Sequence, residues 1–328
     1  MRTIVTCLIL AAGTLVAQPP LESRVLRISS AKTAQDFAEV ATVIRSIAEI
    51  RDLSVDMDQR TITMWASAQQ VSFADWLARE LDPATNASPR FQVGPDDVAR
   101  IFYVKNAPGV QGFQEMATAM RSLVEIRRLF TYNTPRAIVA RGTPDQLAAA
   151  EWILGELDQP LTQAPPRGAR AFEMSGVGNE NVVRIFHITA AATIQDFQEA
   201  AVLVRSIGDI RRVFTYNPSH ALLIRGTADQ AALADWLTTQ LEGATKPVES
   251  TTAIEYRMSD AGMDNVVRVF RLAHAASTKR LQEVATEVRT AEKIRRVFTC
   301  NTPRLVAMRG TQDQMDSAVR LVKERDKN

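Results

Sequence analysis

The chain has 328 residues, with 39 Lys and Arg against 37 Asp and Glu, a formal net charge of +2. Such near-neutrality excludes the broad basic field that draws proteins to nucleic acid or to anionic membrane. Its two cysteines are Cys7 and Cys300; Cys7 falls in an export leader, so one thiol remains, no internal disulfide forms, and packing alone must hold the fold.

The leader spans 1–17. Arg2 is its only charge, Ile4 to Val16 form an apolar run, and Ala17 suits cleavage before Gln18. This pattern predicts a signal peptide and a periplasmic or secreted protein. The run is too short to cross a membrane, and no later stretch approaches about 20 apolar residues, so no stable membrane span is expected after cleavage.

Four units follow, at 24–82, 91–158, 172–242 and 256–326. Arg100-Ile101-Phe102, Arg184-Ile185-Phe186 and Arg268-Val269-Phe270 recur at one constant step, and Arg141-Gly142-Thr143, Arg225-Gly226-Thr227 and Arg309-Gly310-Thr311 keep it. The first unit precedes the second by a slightly shorter step, in which Phe37 maps to Phe113 and Trp76 to Trp152. It diverges most, with Ala66-Ser67 for Gly-Thr and Asp52 for an arginine, as terminal members of an array often do.

Within a unit the elements read strand, helix, strand, strand, helix. In the first, Phe37, Val40, Ala41 and Ile44 make a half-buried helical stripe. In the second, Thr143 caps the closing helix, Pro144 fits its first turn and Asp145 suits its positive end. Leu147, Ala150, Ile153, Leu154 and Leu157 then share one face. In the third, Val182 to Ile188 is a strand rich in β-branched residues. Phe197, Ala200, Ala201 and Val204 repeat the stripe, and Ile210 to Tyr216 pairs with Ala221 to Arg225 around Asn217-Pro218-Ser219. Leu161 to Gly168 and Leu241 to Val248 read as linkers. Phe91-Gln92-Val93, Phe172-Glu173-Met174 and Tyr256-Arg257-Met258 precede each first strand as candidate short edge strands.

The predicted fold class is α+β: a tandem array of four βαββα modules, each a three-stranded sheet with two helices on one face. The Arg-Ile-Phe strand, the Arg-Val-Phe-Thr-Tyr-Asn-Pro hairpin, Ile-Arg-Gly-Thr-x-Asp-Gln and the closing Trp-Leu-x-x-x-Leu helix resemble the periplasmic N-domains of bacterial secretins. That resemblance implies a KH-like module and a place in an outer-membrane secretion or pilus assembly. The long β-rich pore region of a full secretin is not in this sequence, so pore formation by this chain is not expected.

No catalytic or metal-binding signature stands out in the sequence. His187, His220 and His274 have Arg271, Arg304 and Ala190 at their repeat equivalents, and none shows zinc-site spacing. Gly176-Val177-Gly178 precedes a strand, so it is no phosphate loop. The Gly-x-x-Gly clamp of nucleic-acid-binding KH domains is missing. The expectation is a non-catalytic protein with no metal, cofactor or nucleic-acid partner. It would act through protein partners of the cell envelope, with oligomerisation left open. The alternative is binding of wall polymer or another anionic ligand through the repeated arginines.

Two residue sets are candidate sites. Strand alternation puts Phe130 with Tyr132, Phe214 with Tyr216, and Phe298 on the sheet face opposite the helices, where a partner or a neighbouring unit covers them. Arg128, Arg212 and Arg296 stand on the same strands. Trp76, Trp152 and Trp236 point away from their own cores on a helical wheel and are candidates for packing on the next unit, whereas the fourth unit carries Arg320 there. Arg45, Arg121, Arg205 and Arg289 are expected to meet helix-end carbonyls.

Overall fold

The structure, a computed structural model, describes residues 20–82, 88–162, 169–176, 178–244, 248–259, 262–274 and 277–327. The signal-peptide reading of 1–17 lies outside them. No helix among the described residues is long and apolar enough to cross a membrane. The chain divides into two compact units, Met1–Pro83 and Ala84–Asn328.

The first unit is one module: β1 (Glu22–Arg27), α1 (Ala34–Ile47), β2 (Asp52–Asp56), β3 (Thr61–Ala66) and α2 (Ala68–Leu81). Its sheet is antiparallel in the order β1-β3-β2. Phe37, Val40, Ile44, Ile62, Met64, Leu77 and Leu81 are among its buried side chains.

The second unit holds three modules. The first comprises β4 (Arg90–Gly94), β5 (Asp97–Tyr103), α3 (Gly109–Val124), β6 (Arg128–Tyr132), β7 (Ala137–Gly142) and α4 (Pro144–Leu157). The next has β8 (Arg170–Glu173), β9 (Val182–His187), α5 (Ile194–Gly208), β10 (Arg212–Tyr216), β11 (Ala221–Gly226) and α6 (Ala228–Gly243). The last has β12 (Thr252–Arg257), β13 (Val266–Arg271), α7 (Thr278–Ala291), β14 (Arg296–Cys300), β15 (Leu305–Gly310) and α8 (Gln312–Arg325).

Each of these three sheets has four strands, in the orders β4-β5-β7-β6, β8-β9-β11-β10 and β12-β13-β15-β14. The three-stranded expectation therefore holds only for the first unit. Elsewhere the segments around Phe91, Phe172 and Tyr256 fold back on the following strand, with Phe172 opposite Val183 and Tyr256 opposite Val267. The added strand satisfies an edge whose N–H and C=O groups would otherwise stay unpaired. The predicted linker from Leu241 also starts too early, because α6 continues to Gly243 with Leu241 buried.

Two recurring polar devices fix every module, and a third is seen in three of them. The N-cap hydroxyls of Ser67, Thr143, Thr227 and Thr311 accept from the backbone of Gln70, Gln146, Gln230 and Gln314, whose amide oxygens accept from the cap N–H in return. The same glutamine then reaches the end of the first helix: Gln230 Nε2 donates to the Asp209 carbonyl at 2.8 Å, and Gln70 Nε2 to that of Glu49 at 2.8 Å. Gly142, Gly226 and Gly310 give it room, since an added Cβ would stand 2.6 Å from its Oε1. The second device is an acid ending the second helix that accepts backbone N–H groups from the loop leading into the module's first helix. Asp158 takes Lys105 N at 2.9 Å, Glu242 takes Ala190 N at 3.0 Å, Asp326 takes Ala273 N at 2.7 Å and Asp82 takes Ser29 N at 2.9 Å. The third corrects an expectation. Arg45 and Arg121 donate not to helix ends but to the hairpin, at the Leu53 and Leu129 carbonyls (2.9 and 2.8 Å), and Arg289 does so at Val297.

Candidate functional site: the surfaces between stacked modules

Inside the second unit the modules share cores. The outer face of the β9–β11 sheet carries Val183, Ile185, Tyr216, Ala221 and Leu223, and these join α3 and α4 in one buried cluster. One module on, Val267, Val269, Cys300, Leu305 and Ala307 join α5 and α6 in the same way. Thus α3 and α5 are each covered on two sides, by their own sheet and by the next. Their composition follows: Ala119 and Leu203, at 0% and 1% exposure, sit among small and aliphatic neighbours, which lets a sheet approach closely.

Polar groups ring this apolar contact at equivalent positions. Glu115 accepts from the Asn217 backbone N–H (3.1 Å) and side-chain amide (3.2 Å), and Glu199 does the same for Asn301 (3.1 and 2.8 Å). The Arg225 guanidinium, 3% exposed, donates to the Leu123 carbonyl at 2.9 Å, and Arg309 to that of Ile207 at 3.1 Å. Arg212 pairs with Glu125 at 2.7 Å and Arg296 with Asp209 at 2.8 Å. Arg212 also bonds Glu180. The Arg212 hydrogen bond is the main reason that the Glu125 carboxyl lies below its ordinary pKa, against a desolvation that would raise it. Burial, and then the charge of Arg212, pull the Arg225 pKa down; donation to fixed carbonyls compensates that buried cation.

Placement of the aromatic residues separates them. Tyr132 and Tyr216 are buried, at 1% and 0%, so neither is the exposed contact residue that strand alternation allowed. Phe214 is half-buried against the α3 cluster and Phe298 against the α5 cluster. Phe130 is half-buried, as is Arg128. The arginines at 212 and 296 are engaged by carboxylates of the preceding module rather than open to a ligand.

Trp152 lies with its ring centroid 5.7 Å from Phe172 on β8, and Trp236 lies 5.3 Å from Tyr256 on β12. Each indole thus rests on the edge strand of the following sheet. Trp76, 7% exposed, stacks on Phe73 at 5.9 Å, and Arg320 is exposed. Sequence reasoning missed Glu115, Glu199, Glu125, Asp209, Asn217 and Asn301. Their signal was available, because each returns one period later in kind: Glu115 as Glu199, Glu125 as Asp209, and the hairpin Asn217 as Asn301.

Among the described residues no group of three or more His, Cys, Asp or Glu is placed to hold a metal ion. His187 is largely withdrawn from solvent, and that desolvation lowers its pKa.

No family model matches the sequence. No curated protein matches it either. Among solved structures the chain is similar to the N-terminal domain of the secretin XcpQ from Pseudomonas aeruginosa. Identity is 14% and the TM-score 0.19, with 43% of this chain and 63% of that chain covered. It is also similar to the ETEC pilotin–secretin AspS–GspD complex, at 12% identity and TM-score 0.16, covering 92% of this chain and 55% of that one. Aspartate kinase from Synechocystis is matched at 10% identity and TM-score 0.17, with 94% and 56% covered. The chain therefore spans less than two thirds of the length of each of these, and similarities of this size assign neither family nor activity.

Proposed function

We propose that this chain is a non-catalytic scaffold of the cell envelope, built from secretin-N-like, KH-like modules and acting through protein–protein contact. One observation carries the reading: the repeated sheet-on-helix junction of the second unit, which devotes the most conspicuous aromatic and arginine positions to module packing. Within the second unit such stacking holds three modules in a fixed relation to one another. The leader-like residues 1–17 and the secretin-like motifs support an envelope location and an accessory role in a secretion or pilus assembly. Anionic-polymer binding through the repeated arginines is disfavoured, because Arg212 and Arg296 already face carboxylates.

Proximity labelling with the full chain in its native host tests the proposal. The expected outcome is enrichment of envelope assembly proteins, with processing near Gln18. Recovery of an intact Met1 form in the cytosol, or enrichment of cytosolic proteins alone, would overturn it.

A further inference from the structure

Two open faces, one on each unit, carry residues that invert the junction seen inside the second unit, and they invert it in matching fashion. Each junction of the second unit sets a helix-end acid against a strand arginine (Glu125 with Arg212, Asp209 with Arg296) and a second arginine on the backbone carbonyl of a buried aliphatic residue (Arg225 on Leu123, Arg309 on Ile207). One period later, just past α7, Lys293 stands where Glu125 and Asp209 stand, and Ala291 where Leu123 and Ile207 stand. The backbone position is the same, left-handed in all three: φ is 61° at Glu125, 55° at Asp209 and 53° at Lys293. Lys293 and Ala291 are exposed. At Ala291 runs a groove of about 650 Å³ whose lining includes Gln282, Glu283, Glu287, Thr290 and Leu321.

The sheet of the first unit shows the complementary change. Asp52 occupies the place of Arg212 and Arg296, and Trp65 the place of Arg225 and Arg309. Asp52 is exposed; Trp65 and its cross-strand neighbours on β1 form an open face, with Trp65 at 47% and Val25 at 53% exposure. A solvated end needs only polar residues. This face instead offers an indole where the groove on α7 has lost a branched side chain, and an acid where the end of α7 has gained a lysine.

We propose that these two faces dock on each other between copies of the chain, head to tail, the β1–β3–β2 sheet of one copy seating on α7 of another. Asp52 then meets Lys293, and Trp65 fills the space over Ala291. A third pair is of opposite charge as well, though its arginine already bonds Glu283 and the Arg325 carbonyl: Gly112 lies beside Pro218 at the internal junction, and their equivalents are Arg280 and Asp58. Asp56 and Glu283, in the places of Tyr216 and Glu115, and Glu287, in the place of Ala119 and Leu203 but paired with Arg325, oppose the docking and keep it reversible. The inversion also sets register, since Lys293 would meet an arginine, a like charge, in any pairing with an internal sheet face. A heterologous contact of this kind gives a ring if it closes and a filament if it does not.

Sedimentation of the full chain over a concentration series tests the proposal. The expected result is mass that grows with concentration, with Asp52→Arg and Lys293→Glu each weakening association at least about tenfold. The double variant D52R/K293E, which recreates the internal acid–arginine pair, should restore it. Mass that stays monomeric throughout would overturn the proposal, as would single reversals without effect or a double variant that stays dissociated. Loss with Lys293→Glu but not with Asp52→Arg would show α7-to-α7 dimers instead, and would overturn it too. The proposal goes beyond the scaffold reading, and its failure leaves the labelling result untouched.

Discussion

At the residue scale the junction depends on a few polar groups whose energetics are modest singly. Glu125 has its carboxyl pKa lowered chiefly by the Arg212 hydrogen bond. A carboxylate with a depressed folded pKa contributes stability above its unfolded value, near 4.5 here, and loses it as pH falls through the folded value. Because the Glu125 side chain is 52% exposed, solvent screening holds that contribution to less than about 1 kcal/mol. Denaturant titrations should therefore show Glu125→Gln less stable than the parent at neutral pH, with the difference closing in acid. A difference that grows in acid would contradict the assignment. Cys300 is a second reporter. Its thiol is buried in the α5 cluster, and burial pushes its pKa up to about 12. Alkylation at mild pH should thus wait for the last two modules to separate or unfold, and labelling as fast as a free thiol would place Cys300 outside that core.

At the element scale the repeated motifs were legible because each performs a local task. The Arg-Gly-Thr-x-Asp-Gln signature is a capping box followed by a latch, and Ala66 in the first module shows that the glycine eases the latch without being indispensable. Removing the latch with Gln230→Ala takes away the reciprocal cap bond and the contact with the Asp209 carbonyl. The expected cost is about 1–2 kcal/mol, readable as a lower midpoint of urea unfolding. A cost near zero would mean that the latch bonds are replaced by water without penalty. The fourth strand was less legible. The Phe172 and Tyr256 segments alternate too briefly for periodicity to separate a strand from a linker, and what makes them strands is the open edge of β9 and β13 beside them. Hairpin aromatics were read on the correct face yet with their cover unknown, because alternation tells which side a residue points to and nothing of what lies there. Tyr216 shows this: its position on the outer face was evident, its complete burial under α3 was not.

At the scale of the whole molecule, the second unit is an array in which each first helix but the last serves two sheets. The constant step between motifs announced the modules, but pairs such as Glu115 with Asn217 lie 102 positions apart, one period plus the helix-to-hairpin distance. Such a spacing becomes informative only once the stacking is known. Stability in an array of this kind is shared between modules and their interfaces, so α3 and α5 should be more protected than α7, which resembles them in length and composition of its inner face but has only one side covered. Its buried residues are Leu281, Val284, Ala285 and Val288, whereas α5 adds Leu203 and Ile207 on the second side.

Amide hydrogen exchange of the full chain, dilute enough to stay monomeric, measures that difference most directly. The stacked arrangement predicts slow exchange in α3 and α5 and distinctly faster exchange in α7. Equal protection in α5 and α7, each at the level of a helix with one open face, would contradict it.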